Sequence, residues 1–204
     1  MLILVVLFLF LSIITHEVCH GYVAYRLGDP TPKYSGRLSF NPIVHVDMFG
    51  TVIVPLFFML TSYNFLGYPI IFGWAKPVPI NPYNFKNPRQ DMMWVGLSGP
   101  SSNLLIATLL SIIANIIPFE TISLALKYAA IINIVLAVIN LIPIPPLDGS
   151  RVLTGLLPRD LAYKYMKIEP YGLIIAIFFI MLFGRIILEP IIGIIASILN
   201  ISLP

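Results

Sequence analysis

Charged residues are scarce in this sequence. They make up 10% of the 204 residues, against about 25% in ordinary soluble domains, while 58% of the residues are hydrophobic. The formal net charge is only +3, and no basic tract with interleaved aromatic residues is present, so nothing favours nucleic-acid binding. A single cysteine, Cys19, excludes an internal disulfide bond. The composition excludes an ordinary soluble enzyme and indicates a multi-pass membrane protein surrounded by the lipid bilayer.

The apolar residues are concentrated in long runs, several of which approach the roughly 20 residues of a membrane-spanning helix. The runs are Met1–Thr15, Met48–Leu60, Leu104–Ile117, Ile122–Ile144, Tyr171–Phe183 and Ile186–Leu203. We expect an all-α polytopic membrane protein, a helical bundle with about five or six membrane segments, built as one domain over residues 1–204. Its core is predicted over residues 1–153, and a helical hairpin is predicted over residues 168–204. The first run has no basic n-region and no A-x-A-like cleavage site, so we expect a retained helix.

Histidine is also scarce, and two of the three histidines lie in one five-residue frame, His16-Glu17-Val18-Cys19-His20. Residues four apart share a helical face, so both imidazoles can bind one Zn²⁺ in this H-E-x-x-H pattern. Glu17 would project beside the metal, where it can take a proton from zinc-bound water. A charged group at mid-membrane costs at least about 2.5–3.5 kcal/mol, so this motif indicates function rather than two chance histidines. Cys19 is predicted to be a small packing residue.

A catalytic zinc site needs a third protein ligand, with the fourth position left to water. The sequence offers three candidates, His45, Asp47 and Asp148. Asp148 follows a strongly apolar run that three prolines interrupt, which would let its carboxylate turn toward a neighbouring helix. The same stretch, P-P-L-D-G, is also ordinary surface-turn chemistry.

These motifs together resemble the site-2 protease family of intramembrane zinc metalloproteases. That family pairs H-E-x-x-H on one transmembrane helix with N-x-x-P-x-x-x-x-D-G at another, and Asn140, Pro143, Asp148 and Gly149 fill the second pattern. The stretch "GLSGPSSNLL", Gly96 to Leu105, is similar to the family's small-residue helix between the two motifs. The resemblance covers most of the chain from Ile13 to Leu153, in a compact form without PDZ or CBS domains.

The resemblance implies a set of roles. One zinc ion per chain would be bound by His16, His20 and Asp148, with Glu17 as the catalytic base. Asn140 would help to hold the substrate chain. The implied activity is a zinc endopeptidase that hydrolyses peptide bonds in or near the transmembrane segments of membrane-protein substrates.

Two alternatives remain. A catalytically silent membrane zinc-binding protein would have the same ligands, although it would not require Glu17. Another kind of membrane H-E-x-x-H protease, such as one that trims prenylated C-termini, would use a downstream glutamate as the third ligand. The glutamates that could serve as this third ligand lack a helical metal-binding context. They are Glu120, Glu169 and Glu189.

The proposed ligands also restrict the topology. His20 and Asp148 must lie at similar depth, so the first helix and the run Ile122–Ile144 must cross the membrane in the same direction. We therefore predict that residues 48–75 re-enter, dipping into the membrane and returning without spanning it. This arrangement places ten of the twelve Lys and Arg residues on one side. By the positive-inside rule, the site then faces the cytoplasm from the cell membrane, with the N-terminus outside.

Two further segments are candidates for contact with substrate. The stretch "FGWAKPVPINP", Phe72 to Pro82, has prolines that favour an extended conformation. It would line the substrate path, for example by pairing as an edge strand, or it would be an ordinary connector. His45 would bind the transition-state oxyanion or a ligand carboxylate, or it would be a structural histidine at the membrane interface.

Overall fold

The computed structural model of the protein describes residues 2–54, 56–57, 60–61 and 75–201. In this part of the chain the regular structure is entirely helical, which confirms the all-α prediction. Among the described residues, four helices are long and apolar enough to cross a membrane. They cover Leu7–Arg26, Pro88–Ile116, Glu120–Asn140 and Glu169–Ile198.

Helix α1, Leu2–Arg26, carries the H-E-x-x-H motif near its C-terminal end. Ser12, His16 and His20 are spaced by four residues, so they lie along one face. All three side chains are buried, with 3%, 8% and 7% of their surface exposed. The polar face of α1 therefore points into the bundle rather than toward lipid, as the cost of polar groups in hydrocarbon requires. A short helix, α2 at Thr31–Tyr34, follows.

Helix α3, Pro88–Ile116, lies at the centre of the bundle and packs against α1 and against both helices that follow it. Its N-terminal half is lined with small buried residues: Gly96, Gly99, Pro100, Ser102 and Asn103. A Cβ built on Gly99 would lie 2.5 to 2.6 Å from imidazole atoms of His20 and His16, closer than any real contact. The predicted stripe of small residues therefore gives the two histidines their space.

Helix α4, Glu120–Asn140, is followed by a proline-rich loop and by helix α5, Asp148–Leu156, which begins with Asp148. A Cβ on Gly149 would lie 2.2 Å from the Leu141 carbonyl oxygen, so only glycine lets the loop fold this tightly. The phenol of Tyr165, on helix α6 at Arg159–Met166, donates a 2.8 Å hydrogen bond to the Pro143 carbonyl. The loop is thus held so that α5 starts beside α1 and α3.

The contacts between these helices define their directions. His20 contacts Val95 and His16 contacts Asn103, so α1 and α3 run antiparallel. Asp148, just beyond the end of α4, contacts His20, so α1 and α4 end on the same side of the bundle. Residues 27–87 therefore start and finish at one end of the bundle, as the predicted re-entrant segment requires.

The re-entrant segment itself stays a prediction. Within it, Met48–Ile53 form a π-helical stretch whose first turn is capped by the Asp47 carboxylate. Residues 55, 58–59 and 62–74, the greater part of the predicted dip, lie outside the described residues.

The predicted C-terminal hairpin is wrong. Helix α7, Glu169–Phe183, continues through a π-helical turn at Gly184–Leu188 into helix α8, Glu189–Ile198. Gly184 has helical φ and ψ of −52° and −48°, so the chain does not reverse there. A lone glycine only weakens a helix, and in an apolar environment the backbone has no alternative to its own hydrogen bonds. The one long helix packs on α4 through Leu188 and Ala196, in a cluster that also includes Ile134 and Val138.

Candidate active site

Three side chains converge where α1, α3 and α5 meet. The Nε2 atoms of His16 and His20 are 3.0 Å apart. The Oδ2 atom of Asp148 lies 3.1 Å from each of them. No other group of three or more histidine, cysteine, aspartate or glutamate ligands occurs in the described part of the chain. Of the three candidates for a third ligand, the fold therefore places Asp148, and neither His45 nor Asp47, beside the histidines.

The triangle fits a zinc ion. Zinc takes imidazole nitrogen and carboxylate oxygen at about 2.0–2.1 Å in tetrahedral geometry, which separates neighbouring ligand atoms by about 3.3 Å. The observed edges of 3.0 and 3.1 Å are close to that value. Three protein donors match the ligand count of a catalytic zinc site, in which water or substrate takes the fourth position.

The second nitrogen of each imidazole is also bound. Nδ1 of His16 lies 2.6 Å from Oδ1 of Asn103, and Nδ1 of His20 lies 2.7 Å from the Val95 carbonyl oxygen. A main-chain carbonyl only accepts, so His20 carries a proton on Nδ1, and in the neutral imidazole its Nε2 is a bare acceptor that faces the site. With His16 held in the same way, two nitrogen lone pairs and a carboxylate oxygen face one another. Such a donor set is repulsive without a cation at its centre.

Glu17 lies beside the triangle and is half-buried. Its Oε2 accepts a 2.9 Å hydrogen bond from the backbone N–H of Val78. This hydrogen bond holds one carboxylate oxygen of Glu17 against the backbone of a segment outside the helix. Sequence spacing predicts that Glu17 projects next to the histidines, but it gives no indication of this partner.

Val78 belongs to residues 75–81, a segment without helix or strand, which we call the strap. Three backbone amides of the strap donate hydrogen bonds toward the body of the protein. Lys76 donates to the His45 carbonyl at 2.9 Å, Val78 to Glu17, and Asn81 to Oδ2 of Asp29 at 2.7 Å. The Val78 side chain is buried, and a Cβ on Gly21 of α1 would lie 2.9 Å from it. The strap is therefore fixed against the helix that carries the motif.

Asp29 anchors the far end of the strap. Its carboxylate is fully buried and accepts four hydrogen bonds, from the N–H and hydroxyl of Thr31, from the amide of Asn84 and from the N–H of Asn81. Burial alone would raise the pKa of Asp29, but the hydrogen bonds from Thr31, Asn84 and Asn81 outweigh it and hold the pKa below its ordinary value. Asp29 is thus charged in the folded protein at neutral pH.

The two predicted substrate-binding residues lie in different surroundings. Nδ2 of Asn140 donates to the Leu136 carbonyl of its own helix at 2.9 Å. His45 is 1% exposed, and its Nε2–H donates to the Ser39 carbonyl at 2.7 Å, while its Nδ1 is buried without a partner. The His45 carbonyl holds the strap, so this residue contacts the site through the backbone.

Sequence reasoning missed several groups that the site uses. Asn103 carries no metal-binding signal in the sequence, yet it contacts a proposed ligand directly. The Val95 carbonyl and the Val78 N–H are backbone groups, which no residue type reveals. Gly99 does carry a signal, since it lies in the small-residue stripe, but its contact with both imidazoles appears only in the fold.

The sequence is similar to those of known proteins. A model of the family described as Peptidase family M50 matches residues 117–183. The chain is 36% identical to "Putative zinc metalloprotease YwhC" of Bacillus subtilis (strain 168), over 91% of this chain and 84% of that protein.

For relatives of lower identity, the match to this chain covers a smaller share of the relative's length. Rip2 of Mycolicibacterium smegmatis, also named as a zinc metalloprotease, is 25% identical over 82% of this chain and 62% of its own. "Zinc metalloprotease MJ0392" of Methanocaldococcus jannaschii is 24% identical over 78% of this chain and 35% of its own. No solved structure matches the chain.

Proposed function

The chain belongs to peptidase family M50, the site-2 proteases, and from this membership we propose that it is an intramembrane endopeptidase. The family makes it an integral membrane metalloprotease with zinc as its cofactor. The finer proposal is that it hydrolyses peptide bonds in or near the transmembrane segments of membrane-protein substrates. The observation that carries it is the convergence of His16, His20 and Asp148 inside the bundle, with Glu17 beside them.

In this proposal His16, His20 and Asp148 hold the metal. When bound, zinc supplies Lewis-acid chemistry, which polarises the scissile carbonyl and acidifies water. The Glu17 carboxylate takes a proton from the attacking water while the oxygen of that water bonds to the carbonyl carbon. Glu17 then delivers that proton to the leaving amine as the C–N bond breaks.

The strap supports a route for the substrate chain. A helical substrate must unwind before its peptide bonds become accessible, and an extended partner can hold it in that state. The strap lies within hydrogen-bond reach of Glu17, and the side chains of Pro77 and Pro79 are exposed. Because proline has no N–H, these two residues offer only carbonyl acceptors along the strap. The strap would therefore bind substrate N–H groups and leave substrate carbonyls free.

Asn140 and His45 have separate roles in this proposal. The Nδ2 group of Asn140 is used within α4, so Asn140 would hold the substrate by accepting an N–H at its Oδ1. His45 acts by fixing the strap through its carbonyl. A direct contact between its ring and substrate would require the buried Nδ1 to become accessible.

The proposed location is the cell membrane, with the site toward the cytoplasm. Arg26 and the basic residues of segments 27–47 and 76–91 lie at the end of the bundle that carries the site, as do those of α5 and α6. Lys127 is within α4, and Arg185 lies in the middle of the last long helix. The basic residues at the end of the bundle that carries the site support this orientation by the positive-inside rule.

The test compares three purified proteins in detergent: the wild type, Glu17→Gln, and the matched control Glu120→Gln. Glu120 is exposed in the first turn of α4 and contacts nothing in the site. Zinc per chain and cleavage of tagged single-span substrates are measured. We expect zinc in all three proteins, and cleavage by the wild type and the control that a chelator abolishes.

Glu17→Gln should retain zinc and lose cleavage. Cleavage by Glu17→Gln at the wild-type rate would contradict the role of Glu17. Zinc in every protein with no cleavage by any would favour the catalytically silent alternative. Absence of zinc from the wild type would refute the proposed metal site.

A further inference from the structure

A chain of buried polar side chains joins the three helices around the proposed metal site. It runs from His16 in α1 to Asn103 in α3, then to Asn133 in α4, and returns to Ser12 in α1. Asn103 and Asn133 are both 0% exposed, and Ser12 is 3% exposed. Polar groups at this depth are costly in a membrane unless each is paired, so their arrangement is restricted.

The direction of every hydrogen bond in this chain follows from one main-chain group. The Ala129 carbonyl lies 2.8 Å from Nδ2 of Asn133, and a carbonyl only accepts. Asn133 must therefore present its N–H₂ to Ala129, and the same group donates to Ser12 Oγ at 2.7 Å. Its Oδ1 is left to face Asn103.

The orientation of the Asn103 side-chain amide is fixed as a result. Its Nδ2 donates to Oδ1 of Asn133 at 3.0 Å, so its own Oδ1 faces Nδ1 of His16 at 2.6 Å. An oxygen acceptor at that distance requires a proton on Nδ1, and in the neutral imidazole this leaves Nε2 with a free lone pair. The Ala129 carbonyl, three hydrogen bonds away, thus determines which nitrogen of His16 is available.

We propose that Asn103 and Asn133 are positioning residues that hold His16 in its Nδ1–H form, so that its Nε2 is always ready to bind zinc. This inference rests on the proposed role of His16 as a ligand. Removing a residue that hydrogen-bonds to a metal ligand commonly weakens metal binding by about 10–100-fold. His20 receives the same restraint from the Val95 carbonyl, which no side-chain substitution removes.

The test is a graded series of zinc affinities, measured by competition with a chromophoric chelator on full-length protein in detergent. Asn103→Ala removes the acceptor of His16 and should weaken zinc binding by about 10–100-fold. Asn133→Ala frees Asn103 to turn over, so its effect should be smaller but clear. Ser12→Ala should stay within about twofold, because the Ala129 carbonyl still orients Asn133.

Ser111→Ala is the matched control for lost packing and lost hydrogen bonding. Ser111 is also a buried polar residue of α3, 2% exposed, and its hydroxyl donates to the Leu199 carbonyl, away from the site. It should leave zinc affinity unchanged. Equal losses in Ser111→Ala and Asn103→Ala would overturn the proposal, because a general packing defect would then suffice.

A spectroscopic readout covers the case in which Asn103→Ala does not fold. The chain has only three histidines, so ¹⁵N-histidine labelling of the zinc-loaded wild type gives a simple spectrum. We expect two Nδ1–H protons protected from exchange, from His16 and His20, with the His16 signal lost in Asn133→Ala. An unprotected His16 Nδ1 in the wild type would overturn the proposal.

A further variant distinguishes failure of the proposed ligand set from failure of the proposed positioning role. If His16→Ala binds zinc as tightly as the wild type, the proposed ligand set is wrong. If His16→Ala loses zinc while Asn103→Ala and Asn133→Ala bind it normally, the ligand set stands and only the positioning role is refuted.

Discussion

Gly99 provides the most stringent test of the site geometry. A Cβ at this position would lie 2.5 Å from Nε2 of His20 and 2.6 Å from Cε1 of His16. Non-bonded carbon contacts are normally about 3.5–4.0 Å, so Gly99→Ala requires the rings to move by about 1 Å. Neither ring can do so freely, because each is held by an Nδ1 hydrogen bond of 2.6 or 2.7 Å.

The expected result is a large loss of function without a loss of helix. A 1 Å misplacement of catalytic groups can cost about 10²-fold in rate, and we expect a comparable loss of zinc affinity for Gly99→Ala. The intrinsic effect of Gly→Ala within a helix is favourable by roughly 0.5–1 kcal/mol, so the defect cannot come from helix propensity.

The assay is zinc titration together with thermal unfolding of the zinc-free protein in detergent. The matched control is Gly193→Ala, in helix α8. A Cβ on Gly193 would meet nothing within 4 Å. This variant should bind zinc normally. Wild-type zinc affinity in Gly99→Ala would refute the positions assigned here to both histidines.

Three other substitutions test the strap and the last helix. Val78→Pro removes the N–H that holds Glu17 while keeping an extended backbone, and it should lower kcat about 10-fold or more with zinc content unchanged. Val78→Ala keeps the N–H and is its control in the same cleavage assay. The pKa of Asp29 is lowered in the folded state, so its stabilising contribution is complete above the unfolded pKa of about 3.9 and is lost as pH falls through the folded value. In thermal melts from pH 7 to pH 3, Asp29→Asn should be less stable than the wild type at neutral pH, and the difference should shrink at low pH. A constant difference would contradict the assignment. Gly172→Ala would place a Cβ 2.1 Å from the Pro145 carbonyl oxygen, so it should lower the melting temperature more than Gly193→Ala does. Equal melting temperatures would show that α7 does not pack against this loop.

Part of the fold could be predicted because the bilayer permits few solutions. Long apolar runs must become helices, and the regions that became α1, α3 and α4 were each marked by such a run. The hairpin prediction depended on Gly184 and Arg185, which separate the last two apolar runs. It failed because a glycine and a charge are typical of turns but do not require one. Packing of Leu188 and Ala196 against α4 decided the outcome, and that contact is not encoded locally.

The candidate site was predictable to the extent that its residues carry distinctive chemistry. His16, Glu17 and His20 are related by helical spacing alone, so their shared face follows from the sequence. Asp148 is separated from His20 by 128 residues, and the sequence left it one of three candidates until the resemblance was considered.

The sequence by itself determined the class of the protein and its candidate reactive groups, because hydropathy and side-chain chemistry are properties of individual residues. Only the tertiary structure decided how those groups are held. The Val95 carbonyl orients His20, the Val78 N–H restrains Glu17, and Asn103 receives its orientation from a carbonyl in another helix. Every residue except proline has the same backbone N–H and C=O, so a sequence cannot show which of them a distant side chain will meet.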